Sequence, residues 1–434
     1  MTDDYDPHIS CEEYEEDNDV VGYSKKIIKF DSRGYSDLIS PFKVVNMEAL
    51  SKETKSLYKS LSSPIIFESP KFVWHPQTYN AIEEVNEGYI NNTSKLLSIL
   101  GMKPSLCDEI NNSLTVSSVA FHRNPFDERV SKSSGKTYDP LDKNNFETFL
   151  QNLYSYSQGI VLVPDINITR ISGEGYSIDT EEYLENIDFF TKILSDRNNK
   201  PIFVPIQTNL TKKSAQKILN HYKKKGYTNL WINFRGGEVT GRNLAGLRLI
   251  LKELDRKYTP EEYCLYCSHL KKEISPHFHD VKTASSDILS QFGGGDIIGA
   301  NREFDFVPGD FNKDKHIKKL GLSDEEEYEE KKKLHKRRLF DPNSYYYYIP
   351  TDHPEVINYP YSPEEVINDE TKNESVDNLI KFKEIEKLKR IFEEEGTVKK
   401  YLKRKSMFDE EKEISNEILN YSTSNYEETN LFDF

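Results

Sequence analysis

Between about residue 159 and residue 270 the sequence carries a train of short apolar runs, each closed by a polar residue and followed by a helical pattern. The runs are Gly159-Ile160-Val161-Leu162-Val163-Pro164-Asp165, Pro201-Ile202-Phe203-Val204-Pro205-Ile206-Gln207, Asn229-Leu230-Trp231-Ile232-Asn233-Phe234-Arg235 and Tyr263-Cys264-Leu265-Tyr266-Cys267-Ser268-His269. Unbroken apolar runs of this length suit strands buried on both faces, as in a parallel sheet. Strand–helix alternation at this spacing is the signature of an open α/β sheet or a (β/α)8 barrel. In both, ligands sit at the carboxyl ends of the strands. Asp165, Gln207, Arg235 and His269 are therefore the first candidates for function.

Weaker strand patterns lie at 42–46, 64–68 and 114–121, and a last one at 288 or 297. Together they make about eight, which favours a closed barrel. Helices are expected at 180–195, with Glu181 and Glu182 at a favourable N-terminus, at 211–225, ended by Gly226, and at 242–256. A further helical pattern fills 77–100, and 124–142 reads as a long surface loop. Beyond about 310 the chain turns dense in Glu, Lys and Arg around a tyrosine-rich segment, Ser344 to Pro350. The expected class is thus an α/β (β/α)8 TIM-type barrel with a charged helical C-terminal appendage. Its segments are an acidic disordered tail over 1–20, the barrel over 21–310, the appendage over 311–405 and a second acidic tail over 406–434.

The net charge of -15 resides in those tails: residues 1–19 hold nine Asp or Glu and no Lys or Arg. The body between the tails is close to neutral, so charge says little about its partner. No apolar run approaches the ~18 residues of a bilayer span, and no signal-peptide pattern opens the chain. A cytoplasmic protein with reduced thiols and no membrane association is expected.

Several constellations could carry chemistry. A strand-end carboxylate such as Asp165 can act as a base or accept hydrogen bonds from a purine-like ligand, or simply cap a loop. Gln207 offers donor and acceptor together, for a base edge or a loop contact. Asn233-Phe234-Arg235-Gly236-Gly237 is the best anion-site candidate: glycines let backbone approach a ligand and Arg235 can grip phosphate or carboxylate, although a tight turn with a surface arginine reads equally well. Gly293-Gly294-Gly295 fits either a barrel phosphate site or a flexible turn. Cys264 and Cys267, with His269, His277 and His279 nearby, invite zinc, but residues three apart on a strand face opposite ways, so no metal site is expected. The basic stretches 335–338 and 399–405 could touch phosphate or form solvated helix faces. No P-loop, His-Glu-x-x-His or Gly-x-Ser-x-Gly motif is present, and no cofactor is expected.

In order and spacing, residues 159–305 resemble the tRNA-guanine transglycosylase superfamily, itself a (β/α)8 barrel. Ile160 to Asp165 looks like the family strand ending in a base-recognising Asp, and Phe203 to Gln207 like the next, ending in a base-recognising Gln. Gly226 to Asn233 resembles the helix-end glycine and following strand, with Gly236 and Gly237 beyond. Ser286-Asp287-Ile288-Leu289-Ser290 lies where the family carries its nucleophilic Asp, aligned with Ser290. The family's Asp-Ser-Gly-Gly-Phe string and its cysteine-rich zinc motif are missing. The resemblance implies a divergent member acting on, or binding, a purine or 7-deazaguanine-type base, possibly within tRNA or DNA. Asp287 and Ser290 would stand near the chemistry, with Asp165, Gln207, Asn233, Arg235, Gly236, Gly237 and His269 binding substrate. The alternative is a non-catalytic barrel that serves as an assembly or adaptor subunit and meets a protein partner through 311–405.

Overall fold

In the computed structural model the four apolar runs form consecutive parallel strands. The structure describes residues 28–29, 38–39, 43–46, 58–59, 65–73, 82, 97–98, 110 and 113–419, the last apart from 131–136, 169, 172–174, 177, 197–199, 260–261, 277–279, 303–312, 355–360 and 396–397. The acidic segment 1–20, most of the 77–100 pattern, His277 and His279 lie outside the described residues.

The strands are β1 (Lys43–Asn46), β2 (Ile65–Val73), β3 (Ser113–Phe121), β4 (Val161–Leu162 and Asp165–Ile166), β5 (Ile202–Gln207), β6 (Asn229–Gly237), β7 (Cys264–Leu270), β8 (Lys282–Ala284) and β9 (Ile297–Ile298). Strands β1 to β7 pair in chain order, every pair parallel, and β9 adds in parallel to β7. β9 lies against β1 and brings the ring round, so eight parallel strands make a (β/α)8 barrel. Among the described residues no hydrogen-bonded ladder joins β9 to β1, and this seam is where the wall of the barrel is open.

Strand alternation sorts the side chains into two cores. One is the barrel interior, with Val44 from β1, Ile66 from β2, Leu114 and Val116 from β3, Leu162 from β4, Phe203 from β5, Trp231 from β6, Cys264 and Tyr266 from β7 and Ile297 from β9. The other lies between the strands and the helices: Val161, Val204, Ile206, Leu230, Ile232, Leu265 and Cys267 face it. Cys264 and Cys267 thus stand on opposite sides of the sheet.

The helices close where local chemistry says they should. Helix α1 (Lys143–Tyr156) starts on Asp142, and α2 (Thr180–Ser195) on Asp179, whose carboxylate accepts from the backbone N–H groups of Glu181 and Glu182. Helix α3 (Lys212–Lys225) is capped by Thr211, buries Ala215, Ile218, Leu219 and Tyr222, and ends at Gly226 with φ +77°. Helix α4 (Gly241–Asp255) packs close enough that a Cβ at Gly246 would run into the carbonyl oxygen of Thr208. The last barrel strand is at 297; residues 289–292 instead form a helical turn, α5 (Leu289–Phe292).

The segment beyond 313 is woven into the barrel. β8, which follows β7, pairs antiparallel with β11 (Tyr346–Tyr348), and β11 pairs with β10 (Leu339–Asp341). Tyr345 and Tyr347 are fully buried and join the outer core. Between β9 and β10 runs α6 (Glu325–Lys336). The long helix α7 (Glu370–Glu395) covers the outside of β1 and β2, where Phe382 packs with Val45, Ile65 and Phe67. Residues 406–419, which by composition belong to an acidic tail, fold into α8 (Ser406–Glu410) and α9 (Lys412–Leu419). Met407, Phe408, Ile414, Ile418 and Leu419 are buried there, an apolar stripe that a charge count hides. Among the described residues no helix is long and apolar enough to cross a membrane.

Candidate functional site

Strands β4, β5 and β6 end at one level, and the expected residues do converge. Asp165 is fully buried. It accepts from Gln207 Nε2 at 2.9 and 3.0 Å, from Asn233 Nδ2 at 2.7 Å and from the Tyr183 hydroxyl at 3.1 Å. Arg235 Nη1 stands 3.8 Å away. Burial pushes the Asp165 carboxyl up, while Arg235 and the amide donors pull it back. Burial likewise lowers the Arg235 guanidinium, to about 10, against the pull of Asp165.

This convergence is structural. The donors around Asp165 come from the protein itself, and Gln207 spends its amide hydrogens on Asp165 and the Ile166 carbonyl. Asn233 Oδ1 accepts from the Arg235 backbone N–H at 2.9 Å and holds a turn in which Arg235 has φ +52°. Gly236 follows at φ +73°, and a Cβ at Gly237 would strike the Asn243 amide at the start of α4. The glycine turn thus lets β6 pack closely against the start of α4. His269 is also fully buried, with φ +56°, and its Nε2 lies 2.9 Å from Ser118 Oγ. Burial, with the nearby charges of Arg302 and Arg235, holds its imidazole well below the usual range and therefore neutral.

Asp287 and Ser290 belong to a second cluster, in the segment between β8 and β9. The Asp287 carboxylate accepts from the Ile288 backbone N–H, from Tyr347 at 3.0 Å on each oxygen, from Asn301 Nδ2 at 2.6 Å and from Lys381 Nζ at 2.6 Å. Ser290, also fully buried, donates to the Asp287 carbonyl at 2.8 Å. Both side chains are thus engaged within the protein, Asp287 as an acceptor and Ser290 as a donor. Gly293, Gly294 and Gly295 are buried, with a Cβ at Gly293 crowding Leu244 and Leu247 and one at Gly295 meeting Cys267 Sγ, so the triplet serves close packing. Of the basic stretches, Arg338 is buried on Glu273 at 2.6 Å and Lys405 donates to the Pro342 carbonyl.

The pattern of apolar runs gives no sign of a cavity of about 430 Å³ at the seam, between β9, the Asp287–Gln291 segment and α7. Along α7 it is lined by Asn373, Asp377 and Lys381 at helical spacing. Asp377 accepts from Lys381 at 2.9 Å and from the Phe340 backbone N–H at 2.9 Å, with Lys272 3.3 Å away. Gln291 sits at the floor of the cavity, fully buried, and among the described residues neither its Nε2 nor its Oε1 has a hydrogen-bond partner. A polar stripe at i, i+4, i+8 on an otherwise charged helix is the only trace of this site in the sequence, and it reads as a solvated face.

No family model matches this chain, and no curated protein matches it. Solved structures do. A modular endo-β-1,4-mannanase of glycoside hydrolase family 26 from Cellulomonas fimi shares 12% identity over 65% of this chain and 65% of its own, with a TM-score of 0.33. The catalytic domain of a family 26 endo-β-1,4-mannanase from Bacillus sp. JAMB-750 shares 11% identity over 64% of this chain and 77% of its own, with a TM-score of 0.35. A family 26 β-mannanase from Bacteroides ovatus shares 9% over 64% and 87%, at 0.34. The chain spans about 65% of the length of the Cellulomonas fimi enzyme. These neighbours are glycoside hydrolases, and the expectation of a transglycosylase-like barrel acting on a purine-type base is corrected accordingly. The geometry supplies the physical reason: Gln207 spends its amide hydrogens inside the protein, on Asp165 and the Ile166 carbonyl, and Asp287 is occupied by Lys381 and Tyr347. The chain is a (β/α)8 barrel whose strand-end polar residues hydrogen-bond to one another and which has a polar cavity at the β9–β1 seam.

Proposed function

We propose that this barrel binds a small polar ligand in the seam cavity and that the strand-end cluster around Asp165 is its structural support. The observation that carries the reading is Gln291: a fully buried side-chain amide with both polar atoms unsatisfied among the described residues, at the floor of a cavity of about 430 Å³. An unmade buried hydrogen bond costs about 1–3 kcal/mol per group. Native proteins keep such groups where water, an ion or a ligand completes them. The volume falls in the range of small-molecule sites, roughly 300–1,000 Å³.

Native mass spectrometry of the full chain, purified gently from its expression host, tests this. The wild type is expected to carry a small molecule that is absent from Gln291→Leu, a variant of similar volume that cannot hydrogen-bond. A ligand retained equally by both would place binding elsewhere.

A further inference from the structure

The chemistry of the cavity goes further than the presence of a ligand. Building on the seam-site reading, and resting on it, we infer that the ligand is uncharged. It meets Gln291 with a hydrogen-bond donor and an acceptor side by side, as a carboxamide or a vicinal diol presents them.

Gln291 sets the first requirement. Both ends of its carboxamide are orphaned among the described residues: Nε2 has hydrogens to give and Oε1 has lone pairs to fill. A carboxylate or phosphate only accepts, and would set its lone pairs against Oε1. An ammonium or guanidinium only donates, and would crowd the hydrogens of Nε2. An amide, or two neighbouring hydroxyls, satisfies both atoms at once.

The charges of the wall set the second. The cavity is lined by five basic and four acidic side chains, and each of them already has a partner within the protein. Four alternate in sign along one largely buried chain: Asp287 holds Lys381 at 2.6 Å, Lys381 reaches Asp377 at 2.9 Å, and Asp377 meets Lys272 at 3.3 Å. Arg337 pairs with Glu370 at 3.2 Å, and Arg302, Lys336 and Glu374 have contacts of their own. A charged ligand would have to break into one of these pairs and leave its other member uncompensated. The orphaned Nε atoms of Arg302 and Arg337 belong to guanidinium groups that are otherwise engaged, and a hydroxyl or amide oxygen satisfies them as well as a charged one does. Beside this polar edge, Ile288, Ile298 and Phe382 offer the body of the ligand an apolar surface.

Isothermal titration of the full chain with four ring-sized probes tests this: benzamide, benzoate, benzamidine and cis-cyclohexane-1,2-diol, each at low and high salt. The first three have nearly the same shape and differ in the edge they present: donor with acceptor, acceptor only, donor only. Benzamide or the diol is expected to bind saturably, at least about tenfold more tightly than either charged probe and equally at both salt concentrations. The amide and diol arms separate the two sources of a donor–acceptor edge. Gln291→Leu is expected to abolish this binding. Gln291→Glu, which turns the carboxamide into an acceptor, is expected to shift the preference from benzamide to benzamidine, with circular dichroism confirming that each variant folds. Benzoate or benzamidine binding the wild type as tightly as the neutral probes would overturn the inference; loss of that binding in Gln291→Leu would still uphold the seam site. Failure of all four probes to bind would also overturn it, leaving the seam site to be judged by the ligand that native mass spectrometry detects.

Discussion

Lys381, on the long helix after residue 370, reaches Asp287, in the segment between β8 and β9, with Nζ 2.6 Å from Oδ2. The side chains are 13% and 2% exposed, so the pair is largely shielded from water. It ties α7 to the segment between β8 and β9 across 94 residues of sequence. Removing one member of a buried pair leaves the other without compensation, at a cost of about 3–5 kcal/mol. Lys381→Met is expected to destabilise by that order, and Asp287→Asn by less, because an amide oxygen still accepts from Tyr347. Urea unfolding of the two single variants and the double variant measures the coupling; additive effects would show that the pair contributes nothing of its own.

Asp165 holds four side chains from three different elements in place, which predicts a graded response. Asp165→Ala strands donors of Gln207 and Asn233 and the Arg235 charge in a buried site, while the Tyr183 hydroxyl keeps the Pro205 carbonyl, and is expected to cost about 3–5 kcal/mol. Asp165→Asn keeps one acceptor and is expected to cost clearly less. Chemical denaturation midpoints check the order; equal losses would mean that charge alone, and not the hydrogen-bond set, organises the strand ends.

Glu68, inside the barrel, gives the pH dependence. Its Oε2 accepts from the Tyr266 hydroxyl and the Ala300 backbone N–H, both at 2.7 Å, and burial pushes its carboxyl above the ordinary 4.5. A raised acid binds more protons folded than unfolded in the window above 4.5, so its contribution to stability falls as pH rises through that window. The Glu68→Gln variant does not titrate there. Its stability relative to wild type is therefore expected to climb as pH is raised from about 4.5 toward neutrality. A constant difference across that range would show that Glu68 titrates as an ordinary glutamate.

Close helix packing gives the last stability prediction. Gly246 on α4 has no room for a Cβ, which would meet the backbone carbonyl of Thr208 rather than a side chain that could swing away. Gly246→Ala is expected to destabilise by about 1–3 kcal/mol despite the better helix propensity of alanine. A thermal midpoint equal to or above wild type would contradict the helix-to-loop distance.

The legibility of this chain depends on how local each signal is. Strands β4 to β7 announce themselves because burial on both faces demands an unbroken apolar run, and Gly226 announces the end of α3 because its φ of +77° suits glycine. The meeting of Asp165, Gln207, Asn233 and Arg235 also comes from strand ends alone. That their amide donors all turn on Asp165 and its neighbours depends on rotamers and on Tyr183 from α2, which no spacing reveals. The pairing of residues 282–284 with 346–348 spans more than sixty positions and carries no local mark, so the tyrosine run reads as an appendage and not as core. Gln291 is ordinary in sequence; its meaning arises only when β9 and α7 enclose it.

The most direct measurement is a crystal structure of the full chain, purified gently so that it keeps the ligand it carries. The seam site predicts ligand density in the cavity, within hydrogen-bond distance of both Gln291 Nε2 and Oε1. Density beside Asp165 and Gln207 at the strand ends, or ordered water alone at Gln291, would contradict it.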